Sequence, residues 1–84
     1  MEVEPQVPIE PNSATVTPAQ LRAARAMVKL TVDQLAEASS VSRGSIIRFE
    51  NERGAMRASG EKALQSALEA AGVRFTERGV ELAA

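Results

Sequence analysis

Residues 31–50 read TVDQLAEASSVSRGSIIRFE, and this stretch decides the fold. A threonine at position 31 and Gln34 three residues later form a capping box, which predicts a short helix beginning just after Thr31. Ser42 can cap a second helix that ends near residue 51, with Ile46 and Phe49 on its buried face. The stretch therefore predicts two short helices joined by a tight turn.

The same capping chemistry recurs upstream of this stretch. Thr17 is followed by Pro18 at the first helical position and by Gln20 at the third, which predicts a helix from there to about Val28. Leu21 begins its apolar face. This first helix would connect to the second through only two or three residues.

Downstream, residues 51–58 contain a glycine and two arginines and are predicted to form a loop. Ser59 can then cap a fourth helix, which Gly72 would end through a left-handed backbone. Residues 73–84 alternate apolar and polar side chains on either side of a turn at 76–79, which predicts a β-hairpin. Because an isolated hairpin is marginal in water, it must pack on the helices or on another chain.

The net charge of −1 averages over three unlike blocks. Residues 1–16 carry three acids and no base, with prolines at every third position from 5 to 11, which predicts a flexible or extended acidic arm. Residues 17–59 carry seven bases against four acids, a local net charge of +3. Residues 60–84 carry three bases against four acids, a net charge of −1. The central block thus has the sign that nucleic acid requires.

Composition excludes several classes of function. The chain has no cysteine and no histidine, so it lacks a disulfide framework, a thiol nucleophile, an imidazole base and the usual zinc ligand sets. Glu50 and Glu52 are two positions apart and do not face each other as an acid/base pair. We expect no enzyme and no cofactor. No apolar run approaches the roughly 18 residues of a membrane helix, and no signal-peptide pattern opens the chain, so we expect a cytoplasmic location without membrane contact.

Several short motifs stand in the register of one known family. They are LRAAR at 21–25, LAEA at 35–38, VSR at 41–43 with Ile46, and FE at 49–50. In this register residues 17–72 resemble the lambda-repressor-like, XRE-type DNA-binding domains of bacteria and phages. The resemblance implies a mainly α, four- to five-helix, helix-turn-helix domain with a short C-terminal β-hairpin, working on DNA in the nucleoid of a bacterial or phage-infected cell.

The resemblance also implies roles for individual residues. The third helix would lie in the major groove of double-stranded DNA, where arginine donates bidentately to guanine. Arg25 and Glu50 match the residues that form a structural salt bridge between the first and third helices. The residues that would read bases are Arg43, Gly44, Ser45 and Arg48; those that would contact DNA phosphates are Arg25, Thr31, Ser42, Arg53 and Arg57.

Three positions depart from the family pattern. Ser40 stands where the turn most often has glycine, in a left-handed conformation that costs a non-glycine residue roughly 1 kcal/mol. Val32 replaces a polar residue, often glutamine, that holds a phosphate. Gly44 supplies no side chain at a reading position.

Two functions follow from these patterns. The first is a sequence-specific transcriptional regulator that binds paired DNA sites as a homodimer, with residues 73–84 or the fourth helix as the dimer element. The alternative is an antitoxin-like or phage-encoded adaptor that binds a partner protein through the arm at 1–16 or through the hairpin. Steep loss of duplex affinity with added salt would distinguish the first from the second.

Overall fold

The computed structural model describes residues 16–77 and 79–82. Within them the chain is mainly helical and ends in a two-stranded antiparallel hairpin, which confirms the predicted fold class at this level. The predicted arm lies outside the described residues except for Val16. The elements are α1 (Pro18–Val28), α2 (Val32–Ser39), α3 (Arg43–Glu50), α4 (Ala58–Ala70), β1 (Val73–Thr76) and β2 (Gly79–Leu82).

The predicted starts of the first two helices are confirmed, because both capping boxes form. In α1 the Gln20 backbone N–H donates to the Thr17 hydroxyl at 3.0 Å, and the Thr17 backbone N–H donates back to the Gln20 side chain at 2.9 Å. Thr31 and Gln34 repeat the same pair of bonds with the same distances at the start of α2. Each box gives a partner to two backbone N–H groups at the start of its helix, that of the threonine and that of the glutamine.

The turn between α2 and α3 occupies three residues, 40–42. Ser40 adopts the left-handed conformation expected at this position, with φ 63° and ψ 22°, and its backbone N–H donates to the Ala36 carbonyl at 2.9 Å. The Ser39 hydroxyl donates to the Leu35 carbonyl at 2.7 Å and accepts from the Val41 backbone N–H at 3.2 Å. These local bonds hold a turn that lacks the usual glycine.

The predicted start of the fourth helix is wrong by two residues. Ser59 does not cap α4, which begins at Ala58 after Arg57, and no side chain caps this end. Met56, two residues before the helix, packs against the core. It lies so close to Gly60 that a Cβ on Gly60 would be 3.0 Å from the Met56 Cγ. At the other end Gly72 has φ +109°, in agreement with its predicted left-handed role.

The hairpin forms where it was predicted and packs on α1. β1 pairs with β2 in the register Val73↔Leu82 to Thr76↔Gly79. The side-chain amide of Gln20 donates to the Thr76 carbonyl at 2.9 Å and to the Gly79 carbonyl at 3.2 Å. One glutamine therefore caps α1 through its oxygen and anchors the hairpin through its nitrogen.

The core lies between the helices and the inner face of β1. Phe49 is its single buried aromatic residue, and the others are aliphatic. Val16, which the prediction placed in the arm at 1–16, is only 4% exposed and belongs to this core. The buried apolar residues are Val16, Leu21, Ala24, Leu35, Ile46, Phe49, Leu64, Leu68 and Val73.

Candidate nucleic-acid interface

Helix α3 has one buried face and one exposed face. Ile46 and Phe49 are buried in the core, three positions apart, as their spacing predicts. Arg43, Gly44 and Arg48 are exposed on the rest of the helix. The packed face therefore holds the helix in place, and two exposed cationic side chains lie on the remaining surface.

Two serines close the N-terminal turn of α3. The Ser45 backbone N–H donates to the Ser42 hydroxyl at 3.2 Å, which makes Ser42 the N-cap, as predicted. The Ser42 hydroxyl donates in turn to the Ser45 hydroxyl at 2.9 Å. Ser42 is exposed and Ser45 is half-buried. Both hydroxyls thus lie at the end of the helix that carries the positive end of its dipole.

Arg43 forms an ion pair with α2. Its Nε donates to Oδ1 of Asp33, in the first turn of α2, at 2.7 Å. Both side chains are largely exposed, at 64% for Arg43 and 75% for Asp33. The pair links the starts of the two helices.

Arg48 folds back over Gly44, one turn earlier in α3. A Cβ at Gly44 would lie 3.6 Å from Nη1 of Arg48, which is an ordinary contact distance. Arg48 and Ser45 also line a cleft of about 410 Å³ between α3 and the start of α4. Arg57 lines the same cleft from the α4 side, so the structure brings Ser45, Arg48 and Arg57 together. The remaining lining residues are Val41, Ala55, Met56, Ser59 and Gly60.

Arg25 and Glu50 form a bidentate ion pair between α1 and α3. Nε and Nη2 of Arg25 donate to the two carboxylate oxygens of Glu50, each at 2.8 Å, and Nη1 donates to the Leu30 carbonyl at 3.0 Å. The Glu50 side chain is only 7% exposed. Its hydrogen bonds raise the pKa of Arg25 above the ordinary arginine value, against the opposing effect of burial. All three guanidinium nitrogens of Arg25 are therefore engaged inside the protein.

The other predicted phosphate-contact residues lie at the edges of α3. Thr31 is exposed, but its hydroxyl and backbone N–H are both used in the capping box. Arg53 is exposed in the loop after α3, where its backbone N–H donates to the Arg48 carbonyl at 2.8 Å. Glu52 beside it has φ 58°, and this left-handed residue turns the chain toward α4.

Sequence reasoning missed two charged residues at this surface. Asp33 was not singled out, because its contact with Arg43 joins residues ten positions apart across the turn between α2 and α3. Arg22 was counted only as a base, yet its Nη1 donates to the Glu50 carbonyl at the end of α3. No local pattern signals this second contact, because it spans 28 residues.

Comparisons with known proteins add no identity to this geometry. No protein-family model matches the chain, and no curated protein matches it significantly. Among the described residues no helix has both the length and the apolar character needed to cross a bilayer. The same residues contain no group of three or more acidic side chains placed to hold a metal ion.

Proposed function

We propose that this chain is a sequence-specific, double-stranded-DNA-binding transcriptional regulator with a lambda-repressor-like, XRE-type helix-turn-helix domain. One observation carries the proposal: a two-turn helix, α3, is anchored by Ile46 and Phe49 and presents Arg43 and Arg48 on its exposed face. The local net charge of +3 over residues 17–59 is in accord with it.

The dimensions of α3 suit the major groove. An α-helix with its side chains is about 10–12 Å in diameter, which fits the major groove of B-DNA, about 12 Å wide. Arg43 stands at the N-terminal end, the end that helix-turn-helix proteins direct at base edges. In this proposal Arg43, Gly44, Ser45 and Arg48 face the bases, and the absence of a side chain at Gly44 lets the helix backbone approach closely.

The DNA backbone would be held from both sides of α3. Ser42 and Thr31 offer the N-terminal ends of α3 and α2, where positive dipole ends favour phosphate. Arg53 and Arg57 offer exposed guanidinium groups from the loop. Arg25 contributes by holding α3 through Glu50, and its internal bonds leave it less free to contact phosphate than the loop arginines.

We also propose that the regulator works as a homodimer through the hairpin. Leu82 is 55% exposed, although its cross-strand partner Val73 on the same face is buried. The apolar face of the hairpin therefore extends past the part that the helices cover. A second copy paired along the outer edge of β2 would cover Leu82 and would place two reading helices on one DNA molecule, with half-sites about 34 Å apart.

Leu82→Lys tests the dimer by analytical ultracentrifugation. The variant should sediment as a monomer at concentrations where the unaltered chain is a dimer, because the lysine would carry charge into an apolar contact. Arg74→Ala, on the opposite face of the hairpin, should leave the dimer intact. A monomeric unaltered chain at high protein concentration would contradict this mode of assembly.

The adaptor function remains the alternative, and the exposed Leu82 is the observation that favours it. A partner protein could cover the same hairpin face, whereas an arm at 1–16 lies almost wholly outside the described residues. This alternative would be supported if the chain captures a partner protein with an affinity that does not depend on salt and itself has no affinity for duplex DNA.

The decisive experiment selects bound fragments from random duplexes and then measures their affinities at two salt concentrations. We expect one enriched site, with affinity that falls steeply as salt is added. Arg43→Ala and Arg48→Ala should each lose roughly 1–3 kcal/mol on that site and relax base choice, whereas Arg57→Ala should weaken all duplexes alike.

Arg74→Ala is the matched control, because it removes the same charge from the hairpin. Unchanged base preference in both α3 variants would refute α3 as the reading helix. Equal weakening by Arg74→Ala would show that only overall charge matters.

A further inference from the structure

We infer that Asp33 is a specificity-determining residue that acts by positioning Arg43. The inference rests on the proposed function and deepens it at one side chain. Its starting point is the ion pair in which Arg43 Nε donates to Asp33 Oδ1 at 2.7 Å. An exposed pair of this kind adds little to folding stability.

The geometry of the pair leaves a defined part of the guanidinium free. Asp33 occupies the Nε position, and within the described residues the two terminal nitrogens of Arg43 have no protein partner. An unrestrained arginine can present guanine with either its terminal fork or its side edge through Nε. With Nε held, only the terminal fork is available, and this fork matches the O6 and N7 acceptors of guanine.

Pre-positioning also changes what binding costs. A long, exposed arginine loses rotamer freedom when it enters the groove, and that loss opposes binding. Asp33 restricts the rotamers of Arg43 before DNA binds, since it holds the arginine side chain against the start of α2, so less conformational entropy is lost on binding. The gain is realised only at sites where the fork meets guanine.

The charge of Asp33 works against all other sites. A carboxylate at the start of α2, beside the reading helix, repels the phosphate backbone of any duplex. The ion pair with Arg43 offsets part of this repulsion at every site, but only at a guanine site does the positioned arginine also gain hydrogen bonds to a base. Asp33 therefore lowers general affinity while it raises the ratio between correct and incorrect sites.

The test compares Asp33→Asn with Glu37→Gln, which removes the same charge from an exposed position of α2 that forms no ion pair in the part of the chain that the structure describes. The duplexes are the selected site and its variants at the one base pair where Arg43→Ala loses preference. We expect both variants to raise affinity for a non-specific duplex a few-fold. Asp33→Asn should also reduce the preference at that base pair by about fivefold or more, whereas Glu37→Gln should leave it unchanged.

One double variant and one stability measurement separate positioning from folding. In the Arg43→Ala background Asp33→Asn should have no additional effect on base preference, because it has no arginine left to position. Urea denaturation should show that both Asp33→Asn and Glu37→Gln are folded under the conditions of the binding assay, so that a change in base preference cannot come from unfolding.

Three outcomes would overturn the inference. The base preference of Asp33→Asn could equal that of the unaltered chain. Glu37→Gln could lower the base preference as much as Asp33→Asn does, or Asp33→Asn could lower it further when Arg43 is already alanine. Each of these leaves the proposed function standing, since the unaltered chain still selects a site. If the unaltered chain binds no duplex selectively, the proposed function and this inference fail together.

Discussion

Replacement of Arg25 by alanine removes the cation that joins α1 to α3 and leaves its partner behind. The carboxylate of Glu50 loses two hydrogen bonds of 2.8 Å, and the Leu30 carbonyl loses one of 3.0 Å. With a side chain only 7% exposed, Glu50 cannot recover these interactions from water without local opening. We therefore expect Arg25→Ala to be strongly destabilising.

The expected loss follows from the burial of the pair. Removal of one partner of a buried ion pair costs about 3–5 kcal/mol, because the remaining charge stays desolvated and uncompensated. A domain of this length has a free energy of unfolding on the order of 4–12 kcal/mol. The variant should thus lose a large share of its stability, and at the lower end of this range it would be mostly unfolded.

Urea denaturation followed by far-ultraviolet circular dichroism measures this loss. The chain has no tryptophan and no tyrosine, so helix content is a better signal than fluorescence. Arg74→Ala is the matched control, since it breaks a cross-strand pair with Glu81 of similar length, 3.0 Å, in which both side chains are more than half exposed. The control should lose no more than about 1 kcal/mol.

The double variant Arg25→Met/Glu50→Leu checks the mechanism. If the cost comes from a stranded charge, removal of both charges should give a protein more stable than Arg25→Ala alone. The reasoning is refuted if Arg25→Ala loses no more stability than Arg74→Ala, or if the double variant is no more stable than the single one.

Three further changes have expected outcomes. Ser40→Gly should raise stability by about 0.5–1 kcal/mol in the same urea assay, because a left-handed residue at φ 63° then has no Cβ; a loss would mean that the serine side chain compensates for its strain. Gly44→Ala should add about 0.5–1 kcal/mol through helix propensity, since its Cβ only touches Arg48 at an ordinary distance, and destabilisation would show that Arg48 cannot shift. Because the pKa of Arg25 is raised in the folded state, its contribution to the free energy of unfolding is fully present below the ordinary arginine pKa. It is lost only as pH rises through the higher pKa of the folded state. The stability difference between the unaltered chain and Arg25→Ala should therefore stay constant from about pH 7 to pH 10, and a fall within that window would contradict the assignment.

The sequence alone determined the local structure. Capping boxes at Thr17 and Thr31 join groups three residues apart, so the chemistry that starts each helix is complete within one turn. The alternation around residues 76–79 likewise predicted the hairpin, and Ile46 and Phe49 predicted which face of α3 is buried. The Arg25–Glu50 pair came from the family resemblance and not from spacing, because 25 residues separate its members.

Tertiary structure alone decided the features that depend on packing between distant segments. Val16 is buried, although the sequence placed it in the arm, and α4 starts at Ala58, two residues after Met56 packs against the core, and not after Ser59. The ion pair of Arg43 with Asp33 depends on how closely α2 and α3 pack, and its distance cannot be read from either helix. Local hydrogen bonds and hydrophobic periodicity depend on residues that are close in the sequence. The relative positions of charged side chains on a shared surface are fixed only when the core brings the helices together.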